Sequence, residues 1–248
     1  MKGLPDLFDG SIDAVIFDLD GVITDTASVH AGAWASLFNG YLEHRDGPGF
    51  APFVDADYLA YVDGKPRYDG VASFLASRGI SLPWGSPVDP ADAETVCGLG
   101  NRKNDLFRSV LATQGASVFP TSVALVAELR EAGIATGCVS SSKNCRFVLD
   151  SVDLLDQFDD IVDGNDATER SLPGKPAPDT YLDCASRLGV DVKRAAMVED
   201  AVSGVASGAA GGFAHVIGLD RGAGRAALLE NGASIVVDDL GVFMGNGT

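Results

Sequence analysis

The chain has 248 residues, 46% of them hydrophobic, enough apolar material for one large domain or two smaller ones. With 18 Lys and Arg against 35 Asp and Glu, the formal charge is −17 and the pI about 4.3, a field that repels polyanions. Nucleic acid and anionic membrane are therefore excluded as partners, whereas a small phosphorylated molecule answers to its local site.

In chain order, the first strand is "AVIFDLD" (14–20), an apolar run ending in Asp18, Leu19, Asp20 and Gly21, with a third acid at Asp25. Charges are costly to bury unless something pairs with them, so this strand end implies a metal ion, a proton-transfer task or open solvent. A calcium loop also begins D-x-D, but Ile23 stands where its glycine belongs and Val29 where its bidentate glutamate belongs. The opening "MKGLPDLFDGSID" has no apolar core of signal-peptide length, and no stretch approaches a membrane span. Cys97, Cys138, Cys145 and Cys184 form no CxxC pair and no metal-like spacing, so they read as reduced thiols of a cytoplasmic protein.

Residues 27–112 show helical patterns in "ASVHAGAWASLFNGYLEHR", "DADYLAYVDG", "YDGVASFLASRG" and "NDLFRSVLATQG", with no strand run between them. The Gly- and Pro-rich "DGPGFAPF" (46–53) and "SLPWGSPVDP" (81–90) are loops within this segment. It reads as a helical insertion, with 1–26 and 113–248 forming the core into which it is set.

From about residue 118, strand and helix alternate. "TSVALVAELREAG" (121–133) has a Ser/Thr cap, helical periodicity and a glycine stop. "GIATGCVSSS" (133–142) is a strand delivering Ser140, Ser141 and Ser142, with Lys143 and Asn144 just after. A loop "GKPAPD" carries Lys175, and "APDTYLDCASRLG" (177–189) is again a helix with a glycine stop. "AAMVED" (195–200) ends in Glu199 and Asp200, and "FAHVIGLD" and "ASIVVDD" complete the strands. Apolar runs of this kind suit strands buried on both faces. The fold class is α/β, a Rossmann-like doubly wound parallel sheet with an inserted helical cap. "GAGRAA" (222–227) fits G-x-G-x-x-A but lies near the C-terminus rather than in the first βα unit, which argues against a nicotinamide site.

In doubly wound sheets ligands bind beyond the carboxyl ends of the strands. Asp18, Asp20, Ser140–Ser142, Lys175, Glu199 and Asp200 all stand at such ends or in the loop between them. Clustered carboxylates suit a hard cation such as Mg²⁺, and the hydroxyl and ammonium suit a phosphoryl group. Taken singly, each motif has a plainer reading: an Asp-rich turn, a helix cap, a surface lysine.

Together, "DLDGVITDT", "SSKN", "GKPAPD" and "VEDAVSG" resemble the four motifs of the haloacid dehalogenase superfamily, with the helical segment in the place of a C1-type cap. "GKPRYDG" and "RKND" in the cap are similar to its β-phosphoglucomutase-like branch. The resemblance implies a Mg²⁺-dependent phosphotransferase acting on a small sugar phosphate, or a sugar-phosphate phosphatase using the same residues. By that resemblance Asp18 is the nucleophile and Asp20 the general acid and base, while Ser140 and Lys175 bind the transferring phosphoryl group. The cation is held by the Asp18 carboxylate, the Asp20 carbonyl, Asp200 and Glu199. Arg67, with Ser142, Lys143 and Asn144, holds a distal phosphate; His30 and Lys103 assist Asp20; Trp34 lines the sugar pocket, although a tryptophan at that helical spacing more often belongs to a core. No long apolar helix face is left over, so a monomer is expected.

Overall fold

A computed structural model describes residues 10–63 and 65–244, so most of the opening stretch read above for a signal peptide lies outside the described residues. The chain forms two compact units, residues 1–25 with 116–248, and residues 26–115.

The larger unit is built on β1 (Ala14–Asp18), β4 (Ala135–Val139), β5 (Asp160–Val162), β6 (Ala195–Glu199), β7 (His215–Leu219) and β8 (Ile235–Val237). They lie in the order β5-β4-β1-β6-β7-β8, every pair parallel. The doubly wound reading is thus what the chain adopts. All five residues of β1 and of β6 are buried, as continuous apolar runs demand in a sheet covered on both faces. Strand order reverses beside β1: the chain steps outward on one side through β4 and β5, then returns to lay β6 against the other edge of β1. Such a reversal opens a crevice at the carboxyl ends of the two strands that flank it. Between the strands run α5 (Pro120–Glu131), α6 (Cys145–Ser151), α7 (Gly164–Glu169), α8 (Asp179–Arg187), α9 (Val202–Gly211) and α10 (Arg225–Glu230). Ile16, Val139, Tyr181, Met197, Val205 and Phe213 pack in one apolar cluster between sheet and helices.

Two elements depart from expectation. The helix α5 has no Ser/Thr cap: Phe119 stands at its N-cap and Pro120 opens it. Proline suits a first helical position because its missing N–H would have no intrahelical partner there. A two-stranded antiparallel ribbon, β2 (Thr24–Asp25) with β3 (Ser117–Val118), was not foreseen, since strands of two residues carry no periodicity.

The smaller unit holds α1 (Ala27–Asp46), α2 (Asp55–Asp57) running into one π-helical turn, α3 (Arg67–Ser77) and α4 (Val96–Gln114). Its core is aromatic: Phe38 lies 4.1 Å from Phe74 and 5.3 Å from Trp34, ring centre to ring centre. Trp34 is 4% exposed and belongs to this core. The long loop before α4 is tied by Asp89, which accepts from Thr95 Oγ1 at 2.6 Å and the Ser86 amide at 3.1 Å, while Thr95 caps α4. Among the described residues no helix is long and apolar enough to cross a membrane.

Candidate active site

The last residue of β1, Asp18, is buried at the strand-order reversal. The chain then turns sharply. Gly21 takes φ +87°, a conformation that side-chain-bearing residues rarely adopt, and Thr24 donates its amide back to the Leu19 carbonyl at 2.9 Å. Asp20 and Thr24 form an isolated bridge across this turn, which leads directly into the ribbon. Glycine is needed at position 21 for a second reason: a Cβ there would lie 2.0 Å from Asp200 Oδ2. The glycine lets the acid that follows β6 approach the turn that follows β1.

Lys175 reaches the same point from the loop before α8. Its Nζ donates to Asp18 Oδ1 at 2.5 Å and to Glu199 Oε2 at 2.8 Å. The loop is braced by the Ala177 amide on the Gly174 carbonyl (3.0 Å) and by Ser207 Oγ of α9 on the Ala177 carbonyl (2.7 Å); the Lys175–Pro176 peptide is cis. Glu199 is 1% exposed, and the Tyr181 hydroxyl also donates to its Oε2, at 2.6 Å. A Cβ on Gly204 of α9 would fall 2.0 Å from Glu199 Cδ, so the glycine of "VEDAVSG" makes the room in which this carboxylate lies.

Asp18, Glu199 and Asp200 each place a carboxylate oxygen within 4.8 Å of the others. Burial raises the Asp18 pKa well above the usual carboxylate range, and the charge of Glu199 adds to this, against the opposing pull of Lys175. For Lys175 burial acts to lower the pKa, but the charges of Asp18 and Glu199 outweigh it and hold the ammonium protonated. Three acids against one ammonium leave net negative charge in a buried place, the electrostatic condition that a hard cation with oxygen ligands relieves. The clearance at Gly21 is the second sign of fit, since it keeps Asp200 beside Asp18. These residues fit a divalent cation. Burial also pushes the Tyr181 hydroxyl pKa well up, aided by the negative charges of Glu199 and Asp18, so it acts as a donor.

Ser140 follows β4, the neighbour of β1, and is 3% exposed. Its Oγ accepts the Ser142 amide at 3.1 Å, and Ser142 Oγ accepts the Asn144 amide at 3.1 Å, folding the loop into two successive side-chain turns. Asn144 is buried and Lys143 exposed. Thus Asp18, Lys175, Glu199 and Asp200 are in one hydrogen-bonded or close-packed group, while Ser140, Ser142, Lys143 and Asn144 lie on the adjoining loop. In "GAGRAA", the amides of Gly222 and Gly224 both bond to Asp220 Oδ1 at 3.1 Å. That turn binds its own carboxylate, which agrees with rejecting it as a dinucleotide site.

In the smaller unit, Lys103 is 4% exposed rather than a solvated helix charge. Its Nζ lies 2.6 Å from His30 Nδ1 and about 5 Å from the ring centres of Trp34 (5.0 Å) and Phe107 (4.8 Å). An ammonium has only donors, so Nδ1 accepts and the neutral ring carries its proton on Nε2. His30 stacks on Phe107 at 4.1 Å. Burial lowers its pKa well below 6.5, and the charges of Lys103 and Arg67 add to this. An unfolded histidine binds a proton near 6.5 and this one resists it, so the shift costs stability as pH falls through that value. We expect the imidazole to stay neutral at about pH 6 and wild-type melting to drop more than that of His30→Gln between about pH 7.5 and 5.5. Ring ¹⁵N shifts with paired melts check this, and a ring titrating near 6.5 contradicts it. Arg67, on the first turn of α3, donates to Asn104 Oδ1 at 2.8 Å.

The missed residues are those that act through the others. Tyr181 stands six positions after Lys175 with no motif of its own, and the clearances at Gly21 and Gly204 appear only when the strands are side by side.

A family model for haloacid dehalogenase-like hydrolases matches residues 12–212. The chain is 50% identical over 246 residues to a β-phosphoglucomutase of Mycobacterium bovis, covering 96% of this chain and 92% of that protein. It is 32% identical to a β-phosphoglucomutase of Bacillus subtilis, covering 83% of each. Among solved structures, a β-phosphoglucomutase from Clostridium difficile superposes with a TM-score of 0.75 at 26% identity, over 94% of this chain and 93% of that one.

Proposed function

This chain belongs to the haloacid dehalogenase-like hydrolase family, and we propose that it is a phosphotransferase of that family, a β-phosphoglucomutase converting β-glucose 1-phosphate to glucose 6-phosphate through a bisphosphate. The observation that carries the chemistry is the buried Asp18 carboxylate held by Lys175 at 2.5 Å beside two further acids at the strand-order reversal. The similarity to proteins named β-phosphoglucomutase supports the substrate.

Asp18 Oδ attacks phosphorus; the bond from phosphorus to the sugar oxygen breaks as the aspartyl phosphate forms. Asp20 gives its proton to the departing oxygen. In the second half it takes the proton of a hydroxyl on an incoming sugar monophosphate, which attacks the aspartyl phosphate, frees Asp18 and becomes the bisphosphate; turned round, that bisphosphate is the phosphoryl donor of the next first half. With one residue between them, the two acids would share a face in a regular strand, but β1 ends at Asp18 and the chain turns at Gly21, just after Asp20. Lys175 neutralises charge on the transferring group, and the Ser140 hydroxyl donates to it. Mg²⁺ held by Asp18, the Asp20 carbonyl, Asp200 and Glu199 would offset the repulsion between carboxylate and phosphate oxygens. A mutase must bind two phosphates, and the exposed Lys143, on the loop that carries Ser140, is a cation available for the second.

The test is a coupled assay with β-glucose 1-phosphate, Mg²⁺ and a trace of bisphosphate primer, reading glucose 6-phosphate and free phosphate together. Glucose 6-phosphate without phosphate release establishes the mutase. Prompt release of phosphate makes this a sugar-phosphate phosphatase, in which water takes the place of the second hydroxyl.

A further inference from the structure

Tyr181 is the bulkiest fully buried side chain among the described residues. It sits on the first turns of α8 inside the apolar cluster of Ile16, Val139, Val205 and Phe213, with the Phe213 ring edge-on at 6.2 Å. A phenylalanine would fill this space without burying a polar atom, and a buried hydroxyl is costly unless it is bonded. The bond it makes is to Glu199 Oε2, at 2.6 Å. That oxygen also takes Lys175 Nζ at 2.8 Å, and Lys175 in turn holds Asp18 Oδ1. Oε2 therefore serves two donors. Among the described residues, Oε1 accepts only a long contact of 3.3 Å from the Ala201 amide. On the α9 side, Gly204 supplies space for the carboxylate and no side chain to orient it.

We infer that Tyr181 is a positioning residue whose hydroxyl pins Oε2 of Glu199, so that this carboxylate keeps Lys175 on Asp18 and leaves Oε1 for the cation. The inference rests on the phosphotransferase reading above. Such an outer partner fixes the orientation of a ligand that would otherwise swing.

Tyr181→Phe retains the ring and removes the bond. The expected result is Mn²⁺ affinity of the substrate-free protein, read by electron paramagnetic resonance, weakened about tenfold. With Mg²⁺ and substrate, kcat falls about tenfold while KM for the sugar phosphate stays within about twofold. In a Glu199→Gln background, Tyr181→Phe has no further effect on Mn²⁺ affinity, because the hydroxyl acts through that carboxylate. A second measurement leaves Tyr181 in place: its hydroxyl proton, held by a carboxylate, gives a far-downfield NMR signal that moves upfield in Glu199→Gln. Unchanged Mn²⁺ affinity in Tyr181→Phe, equal losses on both backgrounds, or a hydroxyl signal indifferent to Glu199→Gln overturns the inference. Wild-type protein that binds no Mn²⁺ takes down the functional reading and the inference together. Wild-type protein that binds Mn²⁺ and turns over substrate, alongside an unimpaired Tyr181→Phe, takes down the inference alone.

Discussion

Asp18→Asn is expected to remove turnover, by roughly 10⁴-fold or more, and at the same time to make the metal-free protein harder to unfold. The first effect follows from deleting the attacking oxygen's charge. The second follows from the environment of Asp18, whose pKa is raised by burial and by Glu199. A carboxyl with a higher pKa folded than unfolded stabilises the fold fully below the unfolded value, near 3.8, and that contribution is lost as pH rises through the folded value. At neutral pH, above the unfolded value, the Asp18 carboxyl therefore works against the fold, either by keeping a proton or by burying its charge, and asparagine removes that cost while keeping the shape. Each kcal/mol so gained raises the melting temperature by about 2–4 °C in a chain of this size. Divalent cation should stabilise the wild type by mass action and the variant less. Calorimetry with and without Mg²⁺, paired with the assay, checks both halves. A variant that melts lower in the absence of metal contradicts the electrostatic reading of the site.

Asp20→Asn is expected to lower kcat with the sugar phosphate by about 10³-fold, within the range that general acid–base catalysis supplies. Its signature lies in the leaving group. A sugar oxygen departs poorly without a proton, whereas p-nitrophenolate departs unaided. With p-nitrophenyl phosphate, formation of the aspartyl phosphate should therefore slow by less than about tenfold in the same variant. Equal losses with both substrates would mean that Asp20 supports the turn or the cation rather than moving protons. The two acids are thus separable: loss of Asp18 silences every substrate, and loss of Asp20 silences those that need a proton.

The fold class was legible because β1, β4, β6 and β7 are continuous apolar runs and the helices between them end in glycine. Gly133 and Gly189 both take positive φ just past α5 and α8. The meeting of Asp18, Lys175, Glu199 and Asp200 was legible for a topological reason: parallel strands deliver all their carboxyl ends to one side of the sheet. What stayed hidden was whatever depends on proximity across the chain. Strand β5 is three residues long, and nothing in "DIV" distinguishes it from a turn of helix. The burial of Lys103 was hidden because helical spacing alone does not reveal which charged positions face inward. Its ammonium lies over the faces of Trp34 and Phe107, an attraction that no residue spacing announces.

The order in which the sheet is assembled has a consequence during synthesis. Strand β1 emerges from the ribosome first, and its five buried residues find a partner on one side only when β4 has been made. On the other side they wait for β6, which begins at Ala195. The smaller unit, encoded without interruption between residues 26 and 115, is complete in the meantime. Between residues 115 and 199 the nascent chain therefore carries a helical unit tethered to an apolar strand with an open edge, the kind of segment that pairs with the wrong neighbour. Slow translation or early termination ahead of β6 exposes that strand to aggregation, so the yield of soluble enzyme depends on how promptly the second half of the message is read.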